Sequence, residues 1–122
     1  MPLLPPLMLL TVTVGLGVYL ASRYLQGQRN RPALVAIHLL PGIGALELIA
    51  LLLHGAPDGT TPMTTGPGKA AALMVMLALL VGFLAPALLR ERPRSAMTAA
   101  LALHALCGLS AFVLLAVWAA GR

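Results

Sequence analysis

Three histidines, one cysteine and one glutamate stand inside otherwise apolar stretches of this chain. Two of the histidines share a frame: His38 opens His-Leu-Leu-Pro-Gly and His104 opens His-Ala-Leu-Cys-Gly, both H-x-x-x-G. Imidazole ligates metals while neutral, relays protons and hydrogen-bonds across helices. On a helix the glycines that follow, Gly42 and Gly108, fall on the same face as the histidines one turn away. With no side chain there, a flat group could lie against the backbone, or a neighbouring helix could pack closely. The frame extends well beyond the motif. Residues 33–55 align without a gap on 99–121, with identities at Ala33/Ala99, Ala36/Ala102, His38/His104, Leu40/Leu106, Gly42/Gly108, Ala45/Ala111, Leu48/Leu114, Ala50/Ala116 and Gly55/Gly121. Alanine and leucine matches carry little weight in such a chain, so the shared histidine and glycine carry the repeat.

The elements that hold these residues are apolar runs at about 3–25, 32–54, 69–89 and 95–120. Each has about 20 or more residues, enough at 1.5 Å per residue to cross a hydrocarbon core of about 30 Å. Helices are the form lipid allows, because their backbone groups are satisfied internally and no barrel-like alternation is present. Pro32 and Pro93 flank the second and fourth runs, and Gly55, Gly66, Pro67 and Gly68 bracket a long connection. Composition agrees: 60% of the 122 residues are hydrophobic, 9% are charged, and the mean hydropathy is +0.96. A soluble domain is nearer 45–50% apolar and about 25% charged. The expected fold is therefore all-α: a single integral membrane domain, a four-transmembrane-helix bundle built from a duplicated two-helix hairpin. The first and third runs match through a glycine eight residues before an arginine, Gly15 with Arg23 and Gly82 with Arg90.

Charge sets the expected orientation. Arg23, Arg29 and Arg31 cluster between the first two runs and Arg90, Arg92 and Arg94 between the last two, while Lys69 and Arg122 lie on the other side. Basic loops stay in the cytoplasm, so both termini are expected on the periplasmic side of a bacterial inner membrane. Trp118 is expected near the outer interface and Tyr24 near the inner one. The first run carries no basic leader and reads as an uncleaved helix. The net charge of +5 does not point to nucleic acid, because the arginines mark helix ends and few aromatics accompany them.

Because the second and fourth runs point the same way, His38 and His104 lie at about the same depth, some 9 Å inside the inner helix end by the count from Pro32. In a sequentially connected bundle these helices can face each other diagonally across the core. Two imidazoles at one level suit the axial positions of a flat macrocycle holding iron. The competing reading is close helix packing with the histidines hydrogen-bonded across the bundle.

At His38, Gly42, His104 and Gly108 the chain resembles the four-helix b-type cytochromes of bacterial membranes, the haem-bearing subunits of respiratory complexes. The resemblance covers mostly the second and fourth runs. It implies electron transfer through one bis-histidine haem b, in company with quinone or other membrane redox subunits. It has a limit, since two-haem members carry two ligands on one face of one helix. His38 and His54 are sixteen residues apart, a rotation of about 160°, and the repeat partner of His54 is Ala120. One haem near one surface cannot carry electrons across the membrane alone.

Other polar residues keep open readings. Glu47, nine residues after His38, falls on about the opposite face, and His54 is nearly aligned with it. A carboxyl at that depth is costly to ionise; it suits a proton relay, a quinone contact or a contact with another subunit. Arg31 and Arg94 could meet haem propionates, although topology already accounts for them. Cys107 and the scattered methionines suit gap-filling better than metal binding. Nothing in the chain forms a catalytic set, so it is not expected to be an enzyme itself. A non-redox accessory subunit remains the alternative, as does a pigment-binding subunit in which one histidine holds the magnesium of a chlorophyll.

Overall fold

The computed structural model describes residues 2–55, 62 and 65–121. Four helices account for almost all of them: α1 (Leu4–Leu25), α2 (Pro32–His54), α3 (Gly66–Leu88) and α4 (Arg94–Ala120). Each is long and apolar enough to cross a bilayer. They form an up-and-down ring in chain order. Packing is most extensive within α3/α4 and α1/α2, sparser where α2 meets α3 and α1 meets α4. The diagonal of the bundle separates α2 from α4, as the connectivity leads one to expect.

The connections follow from local chemistry. Gly27 adopts φ +75° after α1, and Gln28 N donates to Arg23 O (2.9 Å) while Gly27 N donates to Tyr24 O (3.0 Å). This double bond pattern closes a helix end when glycine supplies the left-handed residue. Arg23 then clasps the short loop, donating to Asn30 Oδ1 and to the Arg29 carbonyl. Proline stands in the first turn of α1, α2 and α3, where its missing N–H costs nothing.

The start of α3 differs from expectation by one turn. Gly66, Pro67 and Gly68, read as breakers, form its first turn because Thr65 caps it, its hydroxyl accepting from Gly68 N at 3.3 Å. Gly68 also lies under the Trp118 ring; a β-carbon there would sit 2.9 Å from two of the ring carbons. Trp118 is consequently 3% exposed, inserted between helices and not displayed at an interface.

The ends of the bundle are chemically distinct. One carries residues 26–31 and 89–93 with the arginines; the other carries the termini. The main core lies entirely in the terminal half: Leu3, Leu10, Ala45, Ile49, Leu53, Ala71, Val75, Ala111, Leu115 and Trp118. In the arginine half the buried described residues are small: Gly42, Ala78 and Ala85.

Candidate functional site

His38 and His104 meet within the arginine half. Their ring centres lie 5.8 Å apart across the diagonal, with ring planes at 67°. Each is held by the helix that precedes its own. His38 Nδ1 lies 2.9 Å from the carbonyl oxygen of Thr13 on α1, and His104 Nδ1 lies 2.7 Å from that of Ala78 on α3. A carbonyl oxygen can only accept, so in both rings Nδ1 carries the proton. No described residue donates to Nε2 of either ring. Histidine ligands of metals are commonly fixed in this way, with the far nitrogen donating to a carbonyl so that tautomer and ring direction are set.

Glycine makes the approach feasible. A β-carbon at Gly17 would lie 3.1 Å from His38 Cε1, and one at Gly82 would lie 2.7 Å from His104 Nδ1. Each ring thus rests on a glycine four residues after the carbonyl that receives its proton. Thr13, Gly17 and His38 on the first hairpin correspond to Ala78, Gly82 and His104 on the second. Arginine spacing pairs Gly15 with Gly82, but Gly15 is exposed with nothing near it. In contact geometry Gly17 matches Gly82, one residue out of the register in which α2 aligns on α4.

The glycines of the H-x-x-x-G motif are not equivalent. Gly42 is buried beneath Thr13 and Leu79, whose methyl carbons would lie 3.5 and 3.6 Å from a β-carbon there. Gly108 has nothing within 4 Å of that position. Scans against protein-family models, curated proteins and solved structures return no match. The chemistry must be read from these residues themselves.

No group of three or more histidine, cysteine, aspartate or glutamate side chains suited to an ion occurs among the described residues. Two nitrogens leave a bare ion without most of its shell. They suffice for a metal that arrives with four in-plane donors of its own, as in haem. The small residues of the arginine half and the bare face at Gly108 suit a broad flat group, whereas the Gly42 side is already filled. The donor set, one imidazole from each of two diagonal helices, is of the kind that holds a haem.

The remaining predicted residues stand apart from the pair. Glu47 is exposed on the outward face of α2, and His54 is exposed near the same line, its Nδ1 bonded to its own helix at Ala50 O. Arg31 is exposed at the cap of α2. Arg94 is engaged: it donates to the Tyr24 carbonyl at 3.0 Å, and its guanidinium lies 5.1 Å from the Tyr24 ring centre. Tyr24 in turn pairs its hydroxyl with Thr98 Oγ1 at 2.9 Å, which ties α1 to α4 at the arginine end. Cys107 is half-buried.

Proposed function

We propose that this chain is a membrane electron-transfer subunit in which His38 and His104 would hold one haem b between α2 and α4. The observation that supports the reading is the facing pair of imidazoles, each with Nδ1–H donated to a carbonyl of the preceding helix. These bonds tie α2 to α1 and α4 to α3, and they leave Nε2 of each ring for something else. The symmetry of the holders also argues against a chlorophyll, whose magnesium takes a single axial imidazole.

When bound, the haem would supply reversible one-electron exchange. The chain's own residues perform the rest. Thr13 and Ala78 carbonyls fix the tautomers and raise the basicity of the ligating nitrogens. Gly17 and Gly82 let the rings sit close enough to be held. With the arginines in the cytoplasm, as the charge asymmetry favours, the pair lies nearer the inner face of a bacterial membrane. Arg31 is then free to meet a propionate, and Arg94 could do so only by releasing Tyr24. A site at that depth needs quinone or another redox subunit to complete an electron path.

The test is the visible spectrum of detergent-purified protein from haem-replete cells, oxidised and dithionite-reduced. About one haem b per chain with a sharp reduced α-band is expected, lost in both His38→Ala and His104→Ala and kept in His54→Ala. A colourless wild-type protein sinks the proposal and leaves the pair as a packing element.

A further inference from the structure

The net charge of this chain is concentrated at one end of the bundle. Arg23, Arg29, Arg31, Arg90, Arg92 and Arg94 stand there with Glu91 alone to oppose them, while Lys69 and Arg122 are offset by Glu47 and Asp58. Topology asks only for the count of basic residues; the structure separates the six by what they touch. Arg23 is engaged by the short loop, at Asn30 and the Arg29 carbonyl. Arg94 is engaged by Tyr24. Arg29, Arg31, Arg90 and Arg92 are exposed, and among the described residues their guanidinium groups make no hydrogen bond or ion pair.

Arg90 and Arg92 have surroundings of their own. With Glu91, Ala87 and Leu88 they line an open cavity of about 470 Å³ at the turn after α3. Arg92 N donates to Leu89 O at 3.1 Å, which closes that turn and fixes the backbone from which both arginines project. Leu88 is 69% exposed, and Leu84, one turn earlier on the same face, is 43% exposed. Cationic and apolar surfaces therefore adjoin where α3 ends. In a helix that crosses the hydrocarbon core, its end lies at the headgroup layer.

We propose that this cavity binds a phospholipid of net negative charge, with its phosphate on the guanidinium groups of Arg90 and Arg92 and its acyl chains along Leu88 and Leu84. Guanidinium offers a planar fork of N–H donors that matches phosphate oxygens two at a time. The apolar neighbours select the source of the phosphate, because a free anion gains nothing from Leu88 and a lipid lays its chains there. The sign of the lipid follows from the charge of this end. Six arginines against one glutamate favour a headgroup that brings net negative charge over one whose own ammonium cancels its phosphate. The Glu91 carboxylate opposes the anion locally, and the two arginines beside it outweigh it. The site involves neither histidine, so it stands or falls apart from the haem reading.

The test is calorimetric titration of the full chain in non-ionic detergent with phosphatidylglycerol, with phosphatidylcholine, and with phosphatidylglycerol in excess inorganic phosphate. Phosphatidylglycerol is expected to bind about tenfold more tightly than phosphatidylcholine, and inorganic phosphate should not displace it. Arg90→Gln with Arg92→Gln should abolish the preference. Arg29→Gln with Arg31→Gln removes the same charge from the other turn and should keep affinity within about threefold, since screening confines the effect of distant charges. Arg90→Lys with Arg92→Lys keeps the charge and loses the fork, and should weaken binding about threefold. Circular dichroism checks that each variant keeps its helices. Equal binding of the two lipids, equal loss in both glutamine pairs, or a preference that survives Arg90→Gln with Arg92→Gln would each overturn the proposal. So would unchanged affinity in the lysine pair, or displacement of the lipid by inorganic phosphate.

Discussion

The terminal half and the arginine half of this bundle are built from the same four helices and the same residue palette, yet they are packed to different ends. In the terminal half, Trp118, Ile49, Leu115 and Val75 interlock over alanines and Gly68, and the side chains fill the interior. In the arginine half the helices bury only small residues, and the largest interior groups are two half-buried imidazoles. Native interiors are close-packed, and the small buried residues of the arginine half let the helices approach one another closely. The lesson is a division of labour: one half holds the helices in register, and the other uses that register to set His38 opposite His104.

The comparison can be broken where its largest effect is expected. Trp118→Ala removes the biggest buried side chain of the terminal half and should cost about 3–5 kcal/mol, measured by denaturant titration in detergent. The same variant, while folded, should keep whatever the histidines bind. If Trp118→Ala loses its pigment as completely as His38→Ala, the halves are not separable and the division fails.

A smaller effect sharpens the other half. Gly82→Ala forces a β-carbon to within 2.7 Å of His104 Nδ1, whereas Gly17→Ala brings one only to 3.1 Å from His38 Cε1. The first must push the ring off the Ala78 carbonyl and should cost about 1–3 kcal/mol. The second needs a shift of a few tenths of an ångström and should cost less. Haem occupancy, read by pyridine haemochrome, should fall in the same order. Equal loss in both variants would mean that ring placement does not govern binding.

These contacts mark what the amino-acid sequence conceals. Helix number and extent are legible because hydropathy over some 20 residues overwhelms local detail, and α2 ends where Gly55 leaves off. The diagonal histidines are legible because identical spacing from parallel helices sets equal depth. Glu47 facing away from His38 follows from 100° per residue. The holders of the imidazoles are another matter. Thr13 and Ala78 act through carbonyl oxygens, which every residue has, and Gly17 and Gly82 act through the absence of a side chain. Such partners leave no mark in residue type, and the one-residue shift between hairpins hides their equivalence. Trp118 is concealed for a related reason: a tryptophan near a helix end reads as interfacial until its glycine is known to lie beneath it.

The smallest expected effect decides what the bare face at Gly108 is for. Its repeat mate Gly42 already meets Thr13 and Leu79, but a β-carbon at Gly108 meets nothing within 4 Å. If that space is only the loose end of a bundle, Gly108→Ala should be neutral or should raise stability by up to about 1 kcal/mol, since alanine is the better helix former. If the space receives a porphyrin, the same methyl group should leave the pigment-free protein as stable as wild type yet lower its haem occupancy. Measuring both quantities on one variant separates the readings, because stability reports the helix and occupancy reports the ligand. A gain in stability with full haem would place the ring elsewhere and leave Gly108 as spare room.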